Sequence, residues 1–491
     1  MENNLLELET KKGTHLLFDN YSGIVIEKKK YTKYLLEHID DDKKELIEKL
    51  KKLNMYVKNE FEREYNYINL LRENGYLVAR KFKKVYRYPE ENLFKGFSSH
   101  LILITTEECN LRCKYCVYSD CYQNKKAYSS KYMDIETALK AVDLFKNMHE
   151  KKVIKGYKDL PKINFYGGEP LLNYHLIKSV VKYVKKISFK NVQYLITTNG
   201  TVMNDEMIDF LAKYNFIVSF SLDGDKFNHD RNRVQKNGEK THEKIIRNII
   251  KFYDKLKYYN RDSIINIICC FDDYTNMEKV TSYFEKLKKR INNLNVIFNK
   301  VYEVDTTYYD YCKKRYKENP YGITEKTNKE TTQKLFEKYY LKEINEGIPD
   351  SIKSLFKSYY LLKNRKKGIM DFYQGNACTI GDKICISPDE KIYICEKANQ
   401  EMEIGDLARG LDLKKIELIY KKYYKIRESH CFECPIVRLC DVCYVHFINK
   451  NNLQFNKNFC ERRKNTYIQG LKTLYSLLEE NKYIFDLSQE D

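Results

Sequence analysis

Between residues 100 and 299 six short apolar runs alternate with segments of helical periodicity, and nothing else in the 491-residue chain limits its fold as much. The runs are His100–Thr105, Lys162–Tyr166, Val192–Thr197, Phe216–Ser221, Ile264–Cys269 and Asn295–Phe298. Each is strand-sized and apolar nearly throughout, as strands covered on both faces are. Between the first two, Ala138, Leu139, Val142, Phe145 and Met148 repeat at three and four residues, which places them on one side of a helix. A later helix starts at Asn204, a residue suited to capping, and carries Met207, Ile208 and Leu211. Six such units predict an α/β fold in which a parallel sheet curls into a partial (β/α)6 barrel. In such folds the reacting groups stand at the C-terminal ends of the strands.

The remaining chain divides around this centre. Residues 1–98 read as a small α/β segment, with strands at Thr14–Phe18 and Gly23–Glu27 flanking the turn Asn20-Tyr21-Ser22-Gly23. Helices are predicted at Lys43–Leu53 and Glu60–Leu71, and Asn74-Gly75 stops them. The barrel takes residues 99–305, a Lys- and Tyr-rich helical linker 306–375, a cysteine-rich domain 376–465, and a closing helix with Tyr467, Leu471, Leu474 and Leu478 falls in 466–491. No apolar run is long enough to span a bilayer, and the N-terminus lacks the pattern of a signal peptide. A cytoplasmic protein without a membrane partner is expected. The net charge of +19 raises nucleic acid as a partner. The basic residues alternate with acids instead of forming one stripe, so a solvated surface is the reading adopted, with an acidic peptide partner left open.

Fifteen cysteines in a reducing compartment point to metal, not to disulfides. Three stand in Cys109-Asn110-Leu111-Arg112-Cys113-Lys114-Tyr115-Cys116, directly after the first strand. Three thiolates on one loop can hold three irons of a cubane and leave the fourth iron open to a ligand. The same bunching would serve a zinc knuckle that borrows its fourth ligand elsewhere. Eight more cysteines crowd between 378 and 460.

The CxxxCxxC loop, with Tyr115 before its last cysteine, resembles the radical S-adenosylmethionine (SAM) superfamily, and further matches follow in order along the barrel. Tyr166-Gly167-Gly168-Glu169-Pro170 is similar to the family's GGEP segment, which implies that its backbone and carboxylate hold the SAM amino group. Thr197-Thr198-Asn199-Gly200 and Ser219-Phe220-Ser221-Leu222-Asp223-Gly224 are similar to segments near the SAM ribose and carboxylate. They put Thr198, Asn199, Ser221 and Asp223 in the cofactor site, although an Asn-Gly turn alone would also explain Asn199. In His229-Asp230-Arg231-Asn232-Arg233, Arg233 is the candidate partner of the SAM carboxylate, because a guanidinium grips a carboxylate with two parallel bonds. A plain loop charge is the alternative. The resemblance implies that SAM, bound to a [4Fe–4S] cluster at Cys109, Cys113 and Cys116, is cleaved to a 5′-deoxyadenosyl radical that abstracts hydrogen from an unactivated C–H bond.

Cys431-x2-Cys434-x5-Cys440-x2-Cys443, with Cys378, Cys385 and Cys395 before it and Cys460 after it, resembles the SPASM extension. That resemblance implies two auxiliary [4Fe–4S] clusters, one on Cys378, Cys385, Cys395 and Cys443 and one on Cys431, Cys434, Cys440 and Cys460. Two structural zinc sites are the alternative. Two departures stand out: the last pair is Cys-x2-Cys where the family usually has Cys-x3-Cys, and Asp389-Glu390 replaces the usual Asp-Gly. Glu396 falls where sulfatase maturases carry a catalytic acid, and a surface glutamate is the alternative. Cys121, Cys269, Cys270 and Cys312 are left over, Cys269 and Cys270 reading as small buried hydrophobes. The expected function is a peptide maturase acting on a ribosomally made precursor, with a thioether or another side-chain crosslink as product. Residues 1–98 would recognise the leader, and an electron donor such as flavodoxin or ferredoxin would reduce the clusters. Formylglycine formation of the sulfatase-maturase type is one alternative, and a non-catalytic Fe–S or zinc module that binds RNA is the other.

Overall fold

The computed structural model describes residues 5–20, 22–38, 40–77, 98–122, 127–154, 158–301, 306–315, 378, 380–398, 400–431, 434–437, 439–440 and 442–480. The N-terminal segment is an antiparallel sheet of β1 (Leu5–Glu9), β2 (His15–Asp19) and β3 (Val25–Glu27), followed by α1 (Thr32–Glu37), α2 (Lys43–Lys52) and α3 (Lys58–Glu73). The sheet order is β1-β2-β3, so the first predicted strand lies in the middle with a partner on each side. Strand alternation then covers both faces of the sheet. Leu17 and Ile26 pack under Tyr31, Leu35, Leu46 and Phe61 of the helices, whereas Leu8 and Phe18 pack on the far side against Leu471 and Leu474.

The central sheet follows the predicted alternation. Its parallel strands are β4 (His100–Thr106), β5 (Lys162–Gly167), β6 (Gln193–Thr198), β7 (Ile217–Ser221), β8 (Ile265–Phe271) and β9 (Leu294–Lys300), hydrogen-bonded in chain order. Helices α4 (Ile135–Ile154), α5 (Tyr174–Lys186), α6 (Asp205–Lys213), α7 (Lys226–Asp230), α8 (His242–Tyr258) and α9 (Met277–Arg290) run between them. Asn204 does cap α6, its side chain accepting from the Met207 amide. Leu101, Leu103, Ile163 and Phe165 face Ala138, Ala141, Val142 and Phe145 of α4 in one large core. Ile102, Ile104 and Tyr166 point the other way, toward the inside of the curl.

The cysteine-rich region does not stand apart. After α10 (Tyr308–Arg315), β10 (Lys383–Ile386) joins the free edge of β4 in parallel, and β11 (Lys391–Tyr393), β12 (Glu403–Asp406) and β13 (Gly410–Leu411) extend the sheet to ten strands. Ile384, Ile416, Tyr423 and Val442 share the barrel's core. The pairing sets Cys385 opposite Ile102, so its thiol faces the inside of the curl with Ile104, Tyr393 and Tyr166. In the turn between β10 and β11, Glu390 adopts φ +61°, a left-handed conformation that a glycine would take without strain. Its carboxylate reaches Thr137 and Lys140 of α4. Last come α11 (Leu413–His430) and α12 (Lys457–Glu480), the latter starting earlier than predicted. The helical linker expected at 306–375 lies outside the described residues beyond α10, as does the end of the chain from 481. No described helix is long and apolar enough to cross a membrane.

Candidate functional site

Cys109, Cys113 and Cys116 leave the C-terminal end of β4 on a loop that two other segments hold. On one side the Arg112 amide donates to the Val234 carbonyl (2.8 Å) and the Lys114 amide to that of Asn232 (3.1 Å), so the segment ending at Arg233 lies along the cysteine loop. On the other the Gly168 amide donates to the Thr106 carbonyl and the Glu169 amide to that of Glu108, both at 2.9 Å. This contact explains the glycine pair. A Cβ on Gly167, whose φ is +138°, would meet the Thr106 oxygen at 2.2 Å, and one on Gly168 the Glu108 oxygen at 2.2 Å. The close approach expected for the cofactor is here an approach of two backbones.

The three thiols gather with Leu111 and Tyr128. Among the described residues no three His, Cys, Asp or Glu side chains form a ready-made site for a single ion. A cubane places each thiolate on a different iron, so its ligands stand further apart than those of one ion. Several features fit such a cluster. The Leu111 amide donates to Cys109 Sγ (3.4 Å), Asn199 Nδ2 points at the same sulfur (3.8 Å), and Arg233 Nη1 points at Cys113 Sγ (3.7 Å). N–H groups aimed at sulfur stabilise thiolate charge. Burial pushes the bare Cys109 thiol up to about 12, with Glu169 adding to the shift, and raises Cys113 against the pull of Arg233. A bound cation would draw these thiols into the thiolate form.

Glu169 ties the ends of β5 and β6 together. Its Oε1 accepts from Thr198 Oγ1 (2.7 Å) and the Leu171 amide (3.1 Å), and its Oε2 from the Asn199 amide (2.7 Å). Burial lifts this carboxyl to about 7 despite those three donors. Pro170 opens a short 3-10 turn beside it. Asn199 also donates to Asn110 of the cysteine loop (2.9 Å) and, through Oδ1, accepts from Thr201. Asp223 accepts from the Tyr115 hydroxyl, from Arg233 Nε (3.0 Å) and from the Cys270 amide (2.9 Å). Arg233, the candidate partner of a cofactor carboxylate, is held by Asp223 through Nε and points Nη1 at Cys113 Sγ. Ser221 is half-buried at the end of β7.

Cys270 departs from its expected place. Cys269 is fully buried in the core, but Cys270 is only partly buried and faces inward beside Tyr115, Tyr308 and Cys121. Sequence reasoning also missed a buried pair close by. Arg231 grips Asp272 with two bonds (3.0 and 2.6 Å), Tyr308 donates to the same carboxylate, and the Tyr308 ring stands edge-on to that of Tyr115. Arg231 sits in the quoted His229–Arg233 segment, yet a partner 41 residues away leaves no local signal.

The other cysteines fall into two neighbourhoods. Cys460, on the first turn of α12, lies within electrostatic reach of Cys431, Cys440 and Cys434. Cys443 lies within reach of Cys378, Tyr444 of both Cys395 and Cys443, and Cys385 of Cys395. The buried Arg427, near Cys431 and Cys440, supplies positive charge to the first group. Glu396 is partly buried, and Cys395 Sγ donates to its Oε2 (3.1 Å). The partly buried Tyr166 lies within electrostatic reach of Glu396, Cys116 and Cys395, so it stands between the barrel thiols and this second group.

Comparison with known proteins agrees with this arrangement. The model of the radical SAM superfamily matches residues 103–281. The cysteine-type anaerobic sulfatase-maturating enzyme of Clostridium perfringens is 26% identical over 358 residues, 70% of this chain and 87% of that protein. The radical SAM cyclopropyl synthase TigE of Paramaledivibacter caminithermalis is 31% identical over 183 residues, 36% of this chain and 37% of that protein. The relatives at 31–39% identity are matched over only 37–48% of their own length. The solved structure of native anSMEcpe with bound AdoMet shares the fold at 20% identity, with a TM-score of 0.53 over 77% of this chain and 98% of that one. Residues 103–281 match the radical SAM superfamily, and the proteins this chain is similar to include a sulfatase-maturating enzyme and a cyclopropyl synthase.

Proposed function

We propose that this protein is a maturase that modifies a ribosomally made precursor peptide, joining side chains through a thioether or another crosslink. The observation that carries this reading is a cleft of about 250 Å³ between β3 and α3, lined by Ile26, Glu27, Lys29, Thr32, Arg63, Glu64, Tyr67 and Ile68. Among the described residues β3 pairs with β2 alone, so its outer edge can take one more strand through main-chain hydrogen bonds. Side-chain pockets along the cleft would set which leader binds. Recognition there, outside the barrel, lets varied core residues use one reaction site.

When bound, SAM and a [4Fe–4S] cluster on Cys109, Cys113 and Cys116 supply the 5′-deoxyadenosyl radical. This chain's own residues prepare the place. Asn199 and Arg233 direct N–H groups at ligand sulfurs, and Glu169 locks the ends of two strands. Thr198, Asn199, Ser221, Asp223 and Arg233 would line the SAM pocket with Tyr115 and the Gly167–Pro170 backbone. Glu396, beside Tyr166, would accept a proton from a substrate group at its free oxygen. Cys378, Cys385, Cys395 and Cys443 would hold one auxiliary cluster, and Cys431, Cys434, Cys440 and Cys460 the other. A small acidic electron carrier such as flavodoxin or ferredoxin suits the basic chain.

A sulfatase-type reaction is the second reading, favoured by the partly buried Glu396 and by the extent of the match to the Clostridium perfringens enzyme. Mass spectrometry of two substrates under reducing, anaerobic conditions separates the two. A Cys-rich precursor peptide encoded beside the gene should lose two hydrogens and a free thiol. An aldehyde appearing on a sulfatase-derived Cys peptide, with the precursor unchanged, would replace the first reading by the second.

A further inference from the structure

We infer that the hairpin turn Asp19–Gly23 of the N-terminal sheet clamps the ligand loop of the second auxiliary cluster and so forms part of a redox site. The inference rests on the reading that Cys431, Cys434, Cys440 and Cys460 hold that cluster. A polar hairpin tip is ordinarily solvated. Here Asp19, Asn20 and Ser22 are 3%, 0% and 6% exposed. The turn closes on itself: Asp19 Oδ2 accepts from both the Ser22 amide and hydroxyl, and the Gly23 amide donates to the Asp19 carbonyl (2.7 Å). From this turn Asn20 Nδ2 donates to the carbonyl of Cys434 (3.0 Å), a bond between residues 414 apart in sequence.

A second anchor holds the same loop. Leu439, the residue before Cys440, is buried against Leu8 and Phe18 of the sheet and Leu471 and Leu474 of α12. The helix that carries Cys460 is itself fastened to the sheet, with the Lys11 amide donating to Ser476 Oγ (3.0 Å). Cys434, Cys440 and Cys460 thus all sit on segments that the N-terminal sheet touches. A turn-rich ligand loop must otherwise be ordered at the moment of metal binding, at a cost in chain entropy. Groups that orient metal ligands from outside alter metal affinity by on the order of 10–100-fold when removed. The β3 edge proposed to bind peptide and the ligand loop of this cluster therefore meet the same three-stranded sheet.

The test uses the full chain, reconstituted anaerobically with iron and sulfide. In Asn20→Ala, four of about twelve irons should pass to a chelator roughly tenfold faster, with a changed electron paramagnetic resonance signal. SAM cleavage by the barrel cluster should stay at the wild-type rate, which also shows that the barrel is folded. Asn20→Asp, of nearly the same size, turns a donor into an acceptor against the Cys434 carbonyl and should release iron at least as fast. Unchanged chelation and spectrum in both variants, with a wild type that holds all three clusters, overturn the inference alone. A wild type with only about four irons overturns the cluster reading and the inference with it. Parallel loss of SAM cleavage in the variants marks general unfolding and counts against the clamp.

Discussion

At Glu169 a single carboxyl joins the ends of two strands, and its titration should be visible in stability. Its folded value of about 7 lies above the ordinary 4.5, because burial disfavours the charge. The stability it contributes is fully present below about 4.5 and is lost as pH rises through about 7. Thermal unfolding of the metal-free chain across that window should show the decline, and Glu169→Gln should flatten it. The same variant sets an NH2 group against one of three donors, which costs about 1–3 kcal/mol and should weaken SAM binding as measured by calorimetry. Replacing Cys109, Cys113 and Cys116 together with Ala should abolish 5′-deoxyadenosine release while leaving roughly eight irons, and continued release would refute the barrel assignment. At this scale the sequence identified residue types better than partners. Cysteines and the Gly-Gly-Glu-Pro run are legible because metal chemistry and close packing tolerate few substitutes. That Arg233 aims at Cys113, or that Gly168 makes room for Glu108, depends on loops brought together by the whole sheet.

Among the elements, the six barrel strands were readable because each is a short, mostly apolar run between helical segments, although only β4 is buried on both faces, while β6, β7 and most of β8 alternate buried and half-buried residues. β1 was not, since Leu6 and Leu8 give an alternation too short to separate from other structure. Its presence changes the peptide-binding argument, because it places β2 in the centre and leaves β3 as the edge beside the cleft. Arg63 and the half-exposed Tyr67 line that cleft, outside the barrel. Arg63→Glu and Tyr67→Ala should each weaken binding of a fluorescent precursor peptide by roughly tenfold, with peptide-independent SAM cleavage unchanged. Equal affinities would leave leader recognition at this cleft without support. Short interior helices such as α1 were equally hidden, since six residues span less than two helical turns.

For the whole molecule, the expectation is about twelve irons in three cubanes, measured with acid-labile sulfide after anaerobic reconstitution. Zinc in place of eight of them would remove the auxiliary clusters from the account. Deleting residues 1–90 should spare substrate-independent SAM cleavage and end precursor turnover, and it should also cost the second auxiliary cluster. The join between barrel and cysteine-rich region was beyond sequence reasoning, because the partners in β4 and β10 are some 280 residues apart and parallel pairing leaves no local mark. That join has a further consequence. Cys109 follows β4, and Cys385 lies within β10, the neighbouring strand, so their separation is set by the spacing of hydrogen-bonded strands and not by the length of chain between them. A slip of β10 by one residue would turn the Cys385 thiol to the opposite face, away from the inside of the curl. For the cluster proposed at Cys385, the sheet is the ruler.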